Sequence, residues 1–252
     1  MSGEKAQGRY GLLDSLRGLC LLSMIGYHAA YDLLHLAGLS LPWLHDTPGH
    51  LWQQSICWSF ILLSGFCWSL SRRPLRHGLV LTVCGGGITL VTYFIMPSEL
   101  IQYGVLTLLG LSALLLKLFS ELSHRLKLRL PPTVGLFLSL ALFFLLRGVP
   151  QGYLGFEGLR LCPLPESLYQ TDWTAVLGFS SPSFYSTDYF PLLPWFFLYA
   201  SGFFLWKCLS RREKALELLR PGFFPLSFLG RHSLLIYLLH QPVLLGIFLL
   251  LA

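Results

Sequence analysis

Long apolar runs separated by short polar loops set the pattern of this chain. The runs fall near residues 12–35, 51–70, 77–96, 101–119, 133–149, 189–208 and 227–251, each close to the roughly 20 residues a bilayer-spanning helix needs. The pattern predicts an all-α, polytopic transmembrane helix bundle of about seven spans, built as a single integral membrane domain over residues 1–252. The segment between Gly152 and Tyr189 is the weak point of that map. There, Trp173 to Phe179 reads as a re-entrant or interfacial piece.

The first run differs from the others because it carries ionisable groups. Between Leu12 and Leu36 stand Asp14, Arg17, His28, Asp32 and His35. Arg17 and His28 are eleven positions apart, and at about 100° per residue eleven steps return almost to the starting face. A helix here has an ionisable stripe on one side. Charges at bilayer depth are costly and face a protein interior or a wet cavity, so the stripe is a functional-site candidate.

Composition strengthens the membrane reading. The chain is 54% hydrophobic and 12% charged, about half the charged share of a soluble domain, with a mean hydropathy of +0.62. The first apolar run is too long for a signal h-region and lacks a small-residue cleavage site, so it is expected to stay in the membrane. Charge placement then orients the spans. Of 18 Lys and Arg residues, only Arg147 and Arg160 fall outside one alternating set of loops, which by the positive-inside rule predicts a cytoplasmic N-terminus. The net charge of +6 is concentrated on that face, where it would meet anionic lipid headgroups or a polyanionic cytosolic substrate.

Several functions are disfavoured. The six cysteines, Cys20, Cys57, Cys67, Cys84, Cys162 and Cys208, have neither CxxC nor zinc-finger spacing and read as buried hydrophobes. The chain has no Walker loop and no HExxH. No metal is expected. Gly85, Gly86 and Gly87 lie within an apolar span and read as a close-packing or break site rather than a phosphate cradle. The basic residues are in short loops between spans, so nucleic acid is not an expected partner.

Polar residues recur in three other places. His45 and His50 follow the first span. Asp188 and Tyr189 precede a span interrupted by Pro191 and Pro194. In the last run, Ser233, Tyr237 and His240 share a face at i, i+4, i+7. The first and last of these have plain structural readings: interhelical hydrogen bonding for Ser233 and Tyr237, a carbonyl freed by Pro242 for His240, and solvation for the loop histidines.

These blocks carry a resemblance. The opening RYGLLDSLRGLCLLSMIGYHAAYDL, then LSGFCWSL, DYFPLLPWFFLYASGFFL and LGRHSLLIYLLHQPVLL, in that order, resemble bacterial membrane proteins related to the catalytic domain of heparan-alpha-glucosaminide N-acetyltransferase. Arg17 and His28 also match the Arg and His arrangement of the wider acyltransferase-3 membrane superfamily. The resemblance implies transfer of an acyl group, by expectation acetyl, from a cytosolic acyl-CoA to a hydroxyl or amine of a sugar-like or envelope acceptor. His28 matches the superfamily's catalytic histidine and Arg17 the arginine that positions the donor. In the heparan enzyme the catalytic histidine lies in the following loop, where this chain has His45 and His50. Related bacterial sequences end the segment around Tyr103 in a histidine, whereas this chain has Thr107.

The spacing suits that chemistry. His28 lies about 16 Å along the helix from Arg17 at 1.5 Å per residue, a length of the order of a pantetheine arm. His28 is then the candidate base and Asp32, one turn on, orients or stabilises it. Direct transfer and an acyl-histidine route stay open. Asp14 with Arg17 forms either part of the donor site or a plain i, i+3 ion pair. His45, His50, Asp188, Tyr237 and His240 are candidate supporting or acceptor-binding residues. The expected surroundings are a lipid bilayer, by expectation the bacterial cytoplasmic membrane, with a homo-oligomer left open. The alternative is a proton-coupled small-molecule transporter or flippase, against which stands the lack of an internal repeat.

Overall fold

In the computed structural model, residues 10–35 and 40–251 are described. Lys5 and Arg9, used in the charge argument, and the side chain of His35 lie outside the described residues. Among those described, the chain is mostly helical. It divides into two compact units, one formed by residues up to Leu63 together with those from Leu209, the other by Ser64–Cys208.

The first unit is built on α1 (Gly11–His35). Its Leu-rich sequence contains no proline, and Asp14 in the first turn complements the positive end of the helix dipole. After the short turn Pro42–Leu44, α2 (Thr47–Trp68) begins and carries the chain into the second unit. The chain returns through α7 (Glu213–Leu219), α8 (Phe224–Arg231) and α9 (Ser233–Leu251). The α1–α8 seam is main chain against main chain. A Cβ at Gly18 would stand 2.0 Å from the Leu226 carbonyl oxygen, and one at Gly230 would stand 1.9 Å from that of Asp14. Ser15 and Ser227 close the seam with a hydroxyl pair at 2.8 Å.

The second unit pairs α3 (Pro74–Ile95) with α4 (Val105–Arg125). Glycines set their approach: Gly110 lies against Thr82 and Gly78, and Gly85 against Thr107. Gly86 and Gly87 face open space, so of the three glycines read as a close-packing or break site only Gly85 packs, and the helix runs on through all three. Next come α5 (Pro132–Leu145), a hairpin of β1 (Tyr153–Phe156) and β2 (Leu159–Pro163), and α6 (Leu192–Leu209). Ser201 on α6 donates to Ser139 on α5 at 3.0 Å. Leu193 is extended (φ −93°, ψ 120°), so the continuous part of α6 starts at Pro194, in accord with the bias of a pre-proline residue away from α.

The structure bears on the span map in three places. First, the expected seventh run, 227–251, is two helices, because the chain leaves helical geometry at His232 (φ −102°, ψ 22°). Second, the region 152–189 holds an antiparallel hairpin and 3-10 turns, so the class is not purely α. Trp173, 90% exposed, stands on one of those turns. Third, four helical stretches are long and apolar enough to cross a membrane among the described residues: Pro74–Ile95, Val105–Arg125, Pro132–Gln151 and Leu192–Leu209. The helices α1 and α2 are of spanning length, but their ionisable and polar positions lower their apolar character. The apolar part of α9, Ser233–Phe248, is shorter. On α3, Val83, Leu90, Phe94 and Ile95 are exposed, as expected of a face turned to lipid.

Candidate functional site

The ionisable stripe of α1 resolves into two clusters within the first unit. At the N-terminal end, Asp14 is buried at 4% exposure. Arg17 Nη1 lies 3.9 Å from one of its oxygens and Arg231 Nε lies 3.6 Å from the other. The i, i+3 pair foreseen for Asp14 and Arg17 thus forms, with a second arginine at the end of α8. Nothing in α1 alone announces Arg231. It is held there because Gly230 seats α8 on the main chain of Asp14.

Deeper along α1, His28 faces α9. Its ring centroid is 4.9 Å from that of His240, with the planes tilted by 58°. One turn on, buried Asp32 accepts from the Gln241 amide at 3.2 and 3.3 Å, one contact to each carboxylate oxygen. Tyr237 completes this side of α9: its ring lies 5.4 Å from His240 and stacks on Phe60 at 6.4 Å. Four residues singled out from the sequence, His28, Asp32, Tyr237 and His240, are therefore neighbours. Gln241, which donates to Asp32, reads in the sequence only as an amide beside a proline in an apolar run.

His240 Nδ1 lies against the carbonyl oxygen of Tyr237. That carbonyl is three residues back, whereas Pro242 deprives the carbonyl of Leu238, four residues back, of its helical donor. The proposed link between His240 and a proline-freed carbonyl is thus corrected. A carbonyl only accepts, so Nδ1 bears the proton and Nε2 presents a lone pair. Nε2 is buried and makes no hydrogen bond.

An aromatic wall borders the His28 side. The indole of Trp52 donates to Ser23 at 2.8 Å, meets Tyr27 edge-on at 5.4 Å and stacks on Trp43 at 6.0 Å. His45 and His50 are exposed at the end of the Pro42–Leu44 turn and in the first turn of α2.

Asp188 belongs to the second unit and has a structural task there. It accepts from the Val105 backbone N–H at the start of α4, and burial pushes its carboxyl up from 3.8 to about 6. Gly104, the residue before that helix, has no side chain to cap it, and a Cβ there would stand 3.1 Å from Asp188 Oδ2. The carboxylate thus supplies from afar the cap that α4 lacks locally. Among the described residues, no group of three or more His, Cys, Asp or Glu side chains is placed to hold a metal ion.

Neither a curated protein nor a solved structure matches the chain. A family model does: Heparan-alpha-glucosaminide N-acetyltransferase, catalytic, over residues 9–242. That match runs through both units, from the start of α1 into α9, and takes in Asp14, Arg17, His28, Asp32, Tyr237, His240 and Gln241. The chain belongs to the family of the heparan-alpha-glucosaminide N-acetyltransferase catalytic domain.

Proposed function

We propose that this protein is a membrane acyltransferase that moves an acyl group, by preference acetyl, from cytosolic acyl-CoA to a hydroxyl or amine of a saccharide or envelope acceptor. Family membership implies transferase activity. The observation that most supports the site assignment is the contact of the His28 and His240 rings beside the Asp32–Gln241 pair. The family match lends no support to the transport alternative.

In this reading a neutral His28 takes the proton from the acceptor O–H or N–H as its oxygen or nitrogen attacks the thioester carbonyl. The C–S bond breaks, the acyl group passes to the acceptor, and the departing thiolate receives the proton. Asp32 stabilises the positive charge that develops one turn away. Arg17, with Arg231 near the same end of α1, offers the donor phosphates a cationic surface, in competition with Asp14. The protein sits in the bacterial cytoplasmic membrane with the N-terminus inside. About seven segments at least partly embedded there include α1, α2 and α9, and on α1 the carboxylates of Asp14 and Asp32 are buried, as charges at bilayer depth require.

Calorimetry of detergent-purified protein with acetyl-CoA tests this reading. Saturable binding, weakened by Arg17→Ala and largely kept by His28→Ala, is the expected result. Failure of folded protein to bind acetyl-CoA or longer acyl-CoAs overturns it.

A further inference from the structure

We infer that His240 is the second member of a two-imidazole proton relay, receiving on Nε2 a proton that His28 releases when it deprotonates the acceptor. The inference rests on the transferase reading and assigns to α9 a chemical task within it.

Three observations carry it. The tautomer of His240 is set by the Tyr237 carbonyl against Nδ1, so the ring directs a bare nitrogen away from its own backbone. That nitrogen is buried and unpartnered, although an unsatisfied buried polar atom costs about 1–3 kcal/mol. The nearest imidazole is at the right distance to use it. A centroid separation of 4.9 Å is slightly under the roughly 5.2 Å that two imidazoles span when joined head to head by one N–H···N hydrogen bond of about 2.9 Å, so a somewhat bent hydrogen bond fits it. The 58° tilt leaves a rotation about the ring torsion, a soft coordinate, to bring the nitrogens into line.

The protons balance. His28 gains the acceptor's proton on one ring nitrogen and passes the proton of its other nitrogen to His240 Nε2. His240 is then an imidazolium with both nitrogens protonated, Nδ1 still on the Tyr237 carbonyl. The charge comes to rest beside Asp32, which Gln241, the next residue on α9, holds by its two oxygens. Tyr27 lies against His28 and Tyr237 against His240 as further titratable groups. As the thioester C–S bond breaks, the steps reverse and the proton goes to the thiolate sulfur.

Two substitutions separate a relay from mere orientation. His240→Asn puts an amide donor near the Tyr237 carbonyl and removes the Nε2 acceptor. His240→Gln restores an acceptor oxygen near Nε2 that orients His28 but takes no proton. The assay follows thiol release from acetyl-CoA with methyl α-glucosaminide, together with simpler amines and sugar alcohols, as probe acceptors. Both variants are expected to lose about 100-fold in kcat, the lower end of general acid–base contributions, with KM within about threefold.

His240→Gln at wild-type kcat overturns the relay while leaving the transferase reading in place. A wild-type protein inert toward acetyl-CoA and all of these acceptors overturns both. Histidine ¹⁵N spectra, with the His240 signal identified by its loss in His240→Gln, give an independent readout. A protonated Nδ1 and bare Nε2 are expected in the resting protein, and the opposite tautomer removes the basis of the proposal.

Discussion

Gln241 reaches from α9 to both carboxylate oxygens of Asp32 on α1, at 3.2 and 3.3 Å. A neutral amide in this place holds the carboxylate without neutralising it. Gln241→Leu removes that hold and is expected to lower stability by about 1–2 kcal/mol, within the usual range for hydrogen bonds to charged groups and reduced for partial exposure. Gln241→Glu sets two carboxylates together and should cost more. Thermal unfolding in detergent at neutral pH ranks the two; equal midpoints for wild type and Gln241→Leu would show that the amide contributes nothing.

Asp14 is expected to matter more than either arginine it meets. Its removal leaves Arg17 and Arg231 facing each other, whereas loss of one arginine leaves the other beside the carboxylate. Asp14→Ala should destabilise by about 2–3 kcal/mol, below the value for a fully buried pair because both guanidinium groups are partly solvated. Arg231→Ala should cost about 1 kcal/mol or less. Denaturant or thermal titration of the three proteins decides the order.

Three consecutive glycines give an internal control. Gly85→Ala drives a Cβ to 2.7 Å from the backbone nitrogen of Thr107, while Gly86→Ala and Gly87→Ala meet nothing within 4 Å. The first should destabilise the α3–α4 pair by about 1–3 kcal/mol, an overpacking cost. The other two should be neutral or gain up to about 1 kcal/mol from helix propensity. The three midpoints should fall in that order.

Burial of the carboxyl that caps α4 makes stability depend on pH, against the smaller opposing pull of its hydrogen bond from Val105. The Asp188 carboxyl titrates near 6 when folded, above its ordinary 3.8. The folded state therefore holds this proton more tightly than the unfolded chain. Its contribution is fully present below the ordinary value and is lost as pH rises through 6. Between pH 4 and 7 this group should remove about 2 kcal/mol of stability. Asp188→Asn should flatten that slope, as read from wild-type and variant midpoints across the range.

The stripe on α1 was legible because a single helix carries it: periodicity alone puts Arg17, His28 and Asp32 on one side. Their partners were not legible to the same degree. Arg231 and Gln241 come to α1 from the far end of the chain, and pairings at that sequence separation follow from packing rather than local pattern. The break at His232 is marked only by Gly230 two residues earlier, and a lone glycine in an apolar run reads equally as a packing site. Seating Gly230 on Asp14 fixes α8 before α9 begins.

The hairpin had a signal. Glu157 and Gly158 form a two-residue connection with φ of 22° and 91°, and an X-Gly pair between short apolar segments marks such turns. Strands of four and five residues were too brief to stand out in a chain dominated by helical runs.

The seam between α1 and α8 has a mechanical consequence. Where Gly18 meets the Leu226 carbonyl and Gly230 that of Asp14, main chain rests on main chain, with no side chain in between to change rotamer and absorb a displacement. Sideways strain on α8 is therefore transmitted to α1 with little cushioning, and with it to the carboxylate between the two arginines. Lipid thickness or a partner bearing on α8 would be felt at Arg17 as a shift of the helix itself.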